Sequence, residues 1–229
     1  MLCILIPGVW AACYYLFDIR QYYLIGLIMI VLSLLPFFVS LERKKLRTGE
    51  LVITASVIAV AVASRAAFFY LPNIKPMCAL LIIFAISFGA EFGFLTGALS
   101  MLLSNFIYGQ GIWTPFQMFA MGITVFVCAL LFRTLAVKNR LVLGIISGVL
   151  CFLLYGAIVD ISSVLTMVSD YNLKSVLAVY ASGVPFNLVH GLTTGVCVTL
   201  FYPVLYEKNE RIKIKYGLFG ECDEKNNIS

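Results

Sequence analysis

The 229 residues are 62% hydrophobic and only 12% charged, with a mean hydropathy of +1.02, a composition from which no soluble surface can be built. A helix needs about 20 apolar residues to cross a bilayer core, so the length admits roughly six to eight spans and leaves no room for a soluble catalytic domain. The net charge of +5 is small and lies in the loops, which speaks for topology and lipid contact and against a nucleic-acid footprint.

Apolar runs broken by charges, prolines and glycines predict eight segments, at about 2–17, 21–41, 50–71, 77–90, 92–108, 114–134, 141–168 and 183–206. The first, MLCILIPGVWAACYYLF, lacks a basic leader and is read as a retained span, not a cleaved signal peptide. With the second it makes a transmembrane hairpin, residues 1–41, joined by a basic linker, 42–49, to a six-helix core, 50–206. A tail, 207–229, follows and is expected to fray. The fourth segment is short for a perpendicular span, so it must tilt, kink or be sheltered by protein. The Gly89, Glu91, Gly93 break beside it can equally be a disturbance within one helix.

Basic residues give the orientation. Arg43, Lys44, Lys45 and Arg47 follow the second segment, Arg133, Lys138 and Arg140 the sixth, and Lys208, Arg211, Lys213 and Lys215 the eighth. The intervening loops hold only Arg20, Lys75 and Lys174. By the positive-inside rule the first set is cytoplasmic, as are both termini.

Polar groups at membrane depth are costly and mark candidate function. In the third segment Ala55, Ala59, Ala63 and Ala67 recur every four residues, a stripe that lets another helix approach closely. Arg65, near the end of that helix, either snorkels to the outer interface or turns into a ligand cavity or ion pair. The densest concentration is SNFIYGQGIWTPFQMFAMG, Ser104–Gly122, on the predicted outer side. It sets Asn105, Tyr108, Gln110, Trp113, Thr114 and Gln117 around Gly109, Gly111 and Pro115, without an ionised group. Amides that donate and accept, beside aromatic faces, suit a large neutral organic ligand. An interfacial aromatic belt with a capped turn is the plainer account of Tyr108 and Trp113. Asp160 in the seventh segment can accept from a ligand, a neighbouring helix or Arg65. Asn187 and the sole histidine, His190, fall in the eighth, and the histidine reads first as a hydrogen-bonded structural residue, since a lone His has no companion ligands for a metal site.

Seven cysteines, Cys3, Cys13, Cys78, Cys128, Cys151, Cys197 and Cys222, show no CxxC or Cys/His metal spacing and read as small apolar free thiols. Neither a metal nor a cofactor is predicted. No HExxH, GxGD, P-loop or activated serine motif is present, so no catalytic residue is assigned. A membrane-embedded enzyme using Asp160 and His190 on a lipid, and a scaffold binding no small molecule, are the competing readings.

The run from Glu50 to Gly122, through RAAFFYLPNIKP, GAEFGFLTGALS and SNFIYGQGIWTPFQMFAMG, resembles the substrate-binding S components of energy-coupling factor (ECF) vitamin transporters. A PFF…E hairpin before the core, Leu35 to Glu42, is similar to a clostridial-type group within them. The resemblance implies an all-α, polytopic six-helix core in a bacterial plasma membrane. It implies a vitamin bound near the extracellular face, and partnership with a transmembrane coupling subunit driven by two cytoplasmic ATPases. It further implies that Ala55, Ala59 and Ala63 contact the coupling subunit. For substrate it points to cobalamin or a related corrinoid, with a queuosine precursor, a flavin or another vitamin as alternatives. Arg65, Asn105, Tyr108, Gln110, Trp113, Thr114, Gln117, Asp160, Asn187 and His190 are the expected substrate-binding residues.

Overall fold

A computed structural model describes residues 48–135, 139–168 and 172–218, all helix and connecting turn, with no strand among them. The predicted hairpin at 1–41, most of the linker and the last residues of the tail lie outside the described residues. Six helices follow one another: α1 (Thr48–Ala67), α2 (Met77–Phe88), α3 (Ala90–Tyr108), α4 (Trp113–Thr134), α5 (Arg140–Met167) and α6 (Leu173–Tyr216). All but α2 are long and apolar enough to cross a membrane. The chain is therefore a polytopic helical membrane protein.

The termini of these helices follow local chemistry. Asn139 caps α5 by accepting from the Leu141 amide at 2.9 Å, and Asn172 caps α6 by accepting from the Ser175 amide at 2.8 Å. The α6 terminus closes on Gly217 in the left-handed region, where a side chain would be strained. Gly89, at φ 115°, separates α2 from α3, so the break at Gly89 is a true helix boundary.

The short α2 solves the problem of its length by shelter. Nine of its twelve residues are buried, among them Met77, Cys78, Leu81, Ile82 and Ile83. It is hydrophobic all round because it has no lipid-facing side. Its far end is fixed to α6, where Asn209 donates to Ser87 at 3.4 Å.

The last helix departs from expectation. Segment 183–206 is the middle of a 44-residue helix that begins ten residues earlier and ends ten later. Apolar content alone marked the span, whereas the Asn172 cap and the helix-forming run Glu207–Tyr216, with its Glu207–Arg211 pair, extend it at both ends. The stretch after Glu207, expected to fray, is helical to Tyr216.

Two helix pairs dominate the packing, α3 with α4 and α5 with α6. The second pair meets through facing GxxxG patterns, Gly144–Gly148 on α5 and Gly191–Gly195 on α6. A Cβ on Gly148 would lie 2.9 Å from the Gly191 carbonyl oxygen, and one on Gly191 only 2.7 Å from the Gly148 carbonyl oxygen. Without side chains in the seam the two backbones come into direct contact.

Candidate functional site

Where α1, α3 and α5 end and α4 and α6 begin, the helices leave a cavity of about 480 Å³. The basic residues Arg133, Arg140, Lys208 and Arg211 fall on the opposite helix ends, at the close of α4, the start of α5 and the close of α6. Six of the ten predicted residues line the cavity: Arg65, Tyr108, Gln117, Asp160, Asn187 and His190.

One wall is a polar relay across three helices. Arg65 of α1 donates through Nη1 to the Ser104 hydroxyl and, at 2.8 Å, to Asn105 Oδ1. The Asn105 amide in turn donates to Thr114 Oγ1 at 3.1 Å and to Gln117 Oε1 at 2.9 Å. The Tyr108 ring lies under the guanidinium, 4.3 Å from Arg65 Cζ, and its hydroxyl donates to the Arg65 carbonyl at 2.6 Å. Arg65 therefore turns inward, and is not spent on snorkelling.

The facing wall belongs to α5 and α6. Asp160, 8% exposed, accepts from the Asn187 amide at 2.8 Å. Gly183 makes this possible, since a Cβ there would sit 2.6 Å from an Asp160 carboxylate oxygen. The expected alternative partner, Arg65, is engaged by Ser104 and Asn105 instead, and the two charges share the cavity without pairing. His190 Nδ1 approaches the Asn73 carbonyl at 3.3 Å, and its ring lies 5.0 Å from the Tyr155 ring.

Four predicted residues do not reach the cavity. Asn105 is buried at 1% exposure behind Arg65 and Gln117 and braces both. Thr114, also buried, accepts from the Gly111 amide at 3.2 Å and so closes the turn into α4. Gln110 is exposed and donates back to the Leu102 carbonyl at 3.0 Å. Trp113 is 44% exposed and rests on Gly111, where a Cβ would clash with the indole at 2.5 Å. The turn 109–112 and the first residues of α4 thus mainly brace the cavity, Gln117 alone among them lining it, and the cavity is charged where this stretch is not.

The sequence reading missed the turn between α1 and α2, which brings Asn73 and Lys75 to the cavity. The Lys75 ammonium donates to the Phe68 carbonyl and, at 3.3 Å, to that of Phe69, and lies 5.1 Å from the Tyr108 ring centroid. Burial, then the neighbouring Arg65 charge, hold its pKa below the ordinary lysine range. Tyr155 and the methionines Met77, Met101 and Met121 complete a soft, partly aromatic lining. Asn73, alone among non-glycine described residues, has a positive φ, 58°, a local signal that this turn is shaped.

A charged, aromatic-lined cavity enclosed by helix ends within a polytopic bundle is the enclosure that a membrane-embedded solute binder requires. Residues 45–208 match the family described as ECF-type riboflavin transporter, S component, and the chain belongs to that family. No curated protein and no solved structure matches it. The family is one of vitamin-transporter subunits and not of enzymes, in keeping with the missing catalytic motifs.

Proposed function

We propose that the chain is the vitamin-binding subunit of an ECF importer in a bacterial plasma membrane, and that it takes a flavin or a heteroaromatic vitamin of similar size. The observation that carries this reading is the cavity itself. About 480 Å³ lies within the range of sites that enclose compact organic ligands. Its walls offer aromatic faces from Tyr108 and Tyr155, and amide and carboxylate groups from Gln117, Asn187 and Asp160 that match the donors and acceptors of an imide edge. Arg65 and Lys75 stand ready for a polar or anionic tail. Cobalamin, the substrate first suggested by sequence resemblance, is far bulkier and would leave much of its body outside such a cavity.

In this reading the cavity opens to the extracellular side and the basic helix ends face the cytoplasm, as the positive-inside rule requires. The partners are a transmembrane coupling subunit and two ATPases. Ala55, Ala59 and Ala63 supply the docking stripe; all three are exposed on α1. Transport requires that the docked, inward state bind the vitamin more weakly than the free one.

Titration of riboflavin with the purified, detergent-solubilised chain tests the substrate. Flavin fluorescence should be quenched at stoichiometric protein, and Asp160→Ala should weaken binding at least about tenfold, the worth of a lost hydrogen bond to a charged group. Saturable cobalamin binding with no riboflavin binding would reverse the substrate assignment. Turnover of a lipid by the chain alone would favour the enzyme reading.

A further inference from the structure

Beneath the vitamin cavity, three side chains from three helices converge. Cys78 of α2, Cys151 of α5 and His190 of α6 bring their ligating atoms within 4.8 Å of one another. The cysteines are 0% and 1% exposed, and the histidine 8%. We propose that this cluster is a binding site for a thiophilic divalent metal ion of the zinc type, held by the two thiolates and the imidazole.

Four observations carry the proposal. The first is the donor set, since two sulfurs and one imidazole nitrogen are the ligands zinc selects, leaving one position for water or a ligand atom.

The second is an orphaned nitrogen. His190 Nε2 is buried and makes no hydrogen bond of ordinary geometry, the imidazole having the Cys151 sulfur as its side-chain neighbour, whereas Nδ1 faces the Asn73 carbonyl at 3.3 Å. A proton on Nδ1 satisfies that carbonyl and leaves a lone pair on Nε2. Metal-bound histidines are held in this way, with the second ring nitrogen donating to a carbonyl. As a plain core histidine, by contrast, it has only the weakly donating Cys151 thiol for that nitrogen.

The third is a supporting shell. Thr194 Oγ1 lies 3.4 Å from Cys151 Sγ and donates to the His190 carbonyl at 2.9 Å, tying two of the three candidate ligands together. Cys151 also opens a five-residue π-helical stretch, Cys151–Tyr155, a local rewinding that recurs at functional sites.

The fourth is charge. Each thiol gives up its proton on binding, so two thiolates and a divalent ion make a neutral unit. Neutrality is what a membrane interior tolerates, and a monovalent ion with the same two thiolates would leave a net negative charge there. Entry is available because His190 itself lines the cavity.

Cobalt(II) is the probe. The full-length chain, purified in detergent under reducing conditions and stripped with chelator, should bind one Co²⁺ and develop a thiolate-to-cobalt charge-transfer band with tetrahedral d–d bands. Zinc should displace it, and elemental analysis should find one zinc per chain. Cys78→Ser and Cys151→Ser should each abolish or strongly reduce the band, while Cys197→Ser, at a half-buried cysteine outside the cluster, should keep it. Should the serine variants fail to fold, the wild-type titration still decides, through its stoichiometry and the release of two protons per ion bound. No band and no zinc on the wild-type chain, a band that survives both serine substitutions, or uptake of Cu⁺ with neither divalent ion, would each overturn the assignment.

Discussion

Asn105 shows how a residue can matter to a site without touching its contents. Its side chain accepts from Arg65 and donates to Thr114 and Gln117, joining α1, α3 and α4 through one buried amide. Asn105→Leu keeps the approximate volume and removes every one of these bonds, leaving Arg65 and Gln117 short of partners. The expected cost is about 1–3 kcal/mol of stability, with weakened vitamin binding because the Arg65 guanidinium is held only by Ser104 and the Tyr108 ring. Gln110→Ala, at an exposed residue with one hydrogen bond back to the Leu102 carbonyl, should stay within about 0.5 kcal/mol of wild type. Thermal unfolding in detergent, with and without ligand, measures both. Equal losses at the two positions would show that the relay has no special weight.

At this same scale the lining of the candidate cavity was half legible. Asp160, Asn187, His190 and Arg65 declared themselves because polar groups within apolar runs have few bland explanations. Asn105, Thr114, Gln110 and Trp113, which share the amide, hydroxyl and aromatic chemistry, stand outside the cavity lining because a helix end and its turn send neighbouring side chains in different directions. Lys75 was read only as a topological charge, and Asn73 carried no compositional mark. Cys78, Cys151 and His190 are separated by 73 and 39 positions along the chain, so no spacing rule could have joined them.

Among elements, the α5–α6 pair shows what periodicity misses. Gly144, Gly148, Gly191 and Gly195 form a seam in which each missing side chain admits the opposing backbone. The seam holds Gly156 and Gly183 near Asn187 and Asp160, and so sets the width of one cavity wall. Gly191→Leu would press a branched side chain against the Gly148 carbonyl and the Phe152 side chain, neither of which can withdraw without moving a helix. Overpacking of this kind costs about 1–3 kcal/mol or more, and here it should lower thermal stability and ligand affinity together. Leu192→Ala, one residue on and 61% exposed, should change neither. Parallel effects at positions 191 and 192 would show that the seam does not set the cavity wall. The helices themselves were legible because five of them are long and apolar, and α2 because burial on every side needs an apolar run. The ends of α6 were not, since a hydropathy reading stops where the membrane stops and the helix does not.

Taken as a whole, the molecule is polarised. At a rise of about 1.5 Å per residue α6 spans roughly 66 Å, twice the thickness of a bilayer core, so its basic end must stand clear of the hydrocarbon. With the cavity at the other end, topology becomes a direct test. Alkaline phosphatase fused after Gly111 should be active, and after Asn139 inactive, while a fluorescent protein fused beyond Tyr216 should fluoresce. The reverse pattern would turn the binding site toward the cytoplasm and rule out its role in uptake.

Coupling makes the other demand on the whole molecule, because a binding subunit must present one surface to the vitamin and another to its partner. On α1 the two proposed surfaces lie apart. Ala61 is fully buried against the bundle and Arg65 reaches the cavity, while Ala55, Ala59 and Ala63 face outward on the same helix. Two helices pack closely only where their contact residues are small, so a leucine on the outward stripe holds a docking helix away without disturbing the bundle. Ala59→Leu should therefore leave vitamin affinity and thermal stability unchanged and sharply reduce recovery of the coupling subunit in co-purification. Arg65→Met should do the opposite, weakening the vitamin and sparing the complex. If Ala59→Leu weakened binding of the vitamin while the complex formed normally, the stripe would belong to the internal packing of this chain, and the docking surface would have to be sought on another helix.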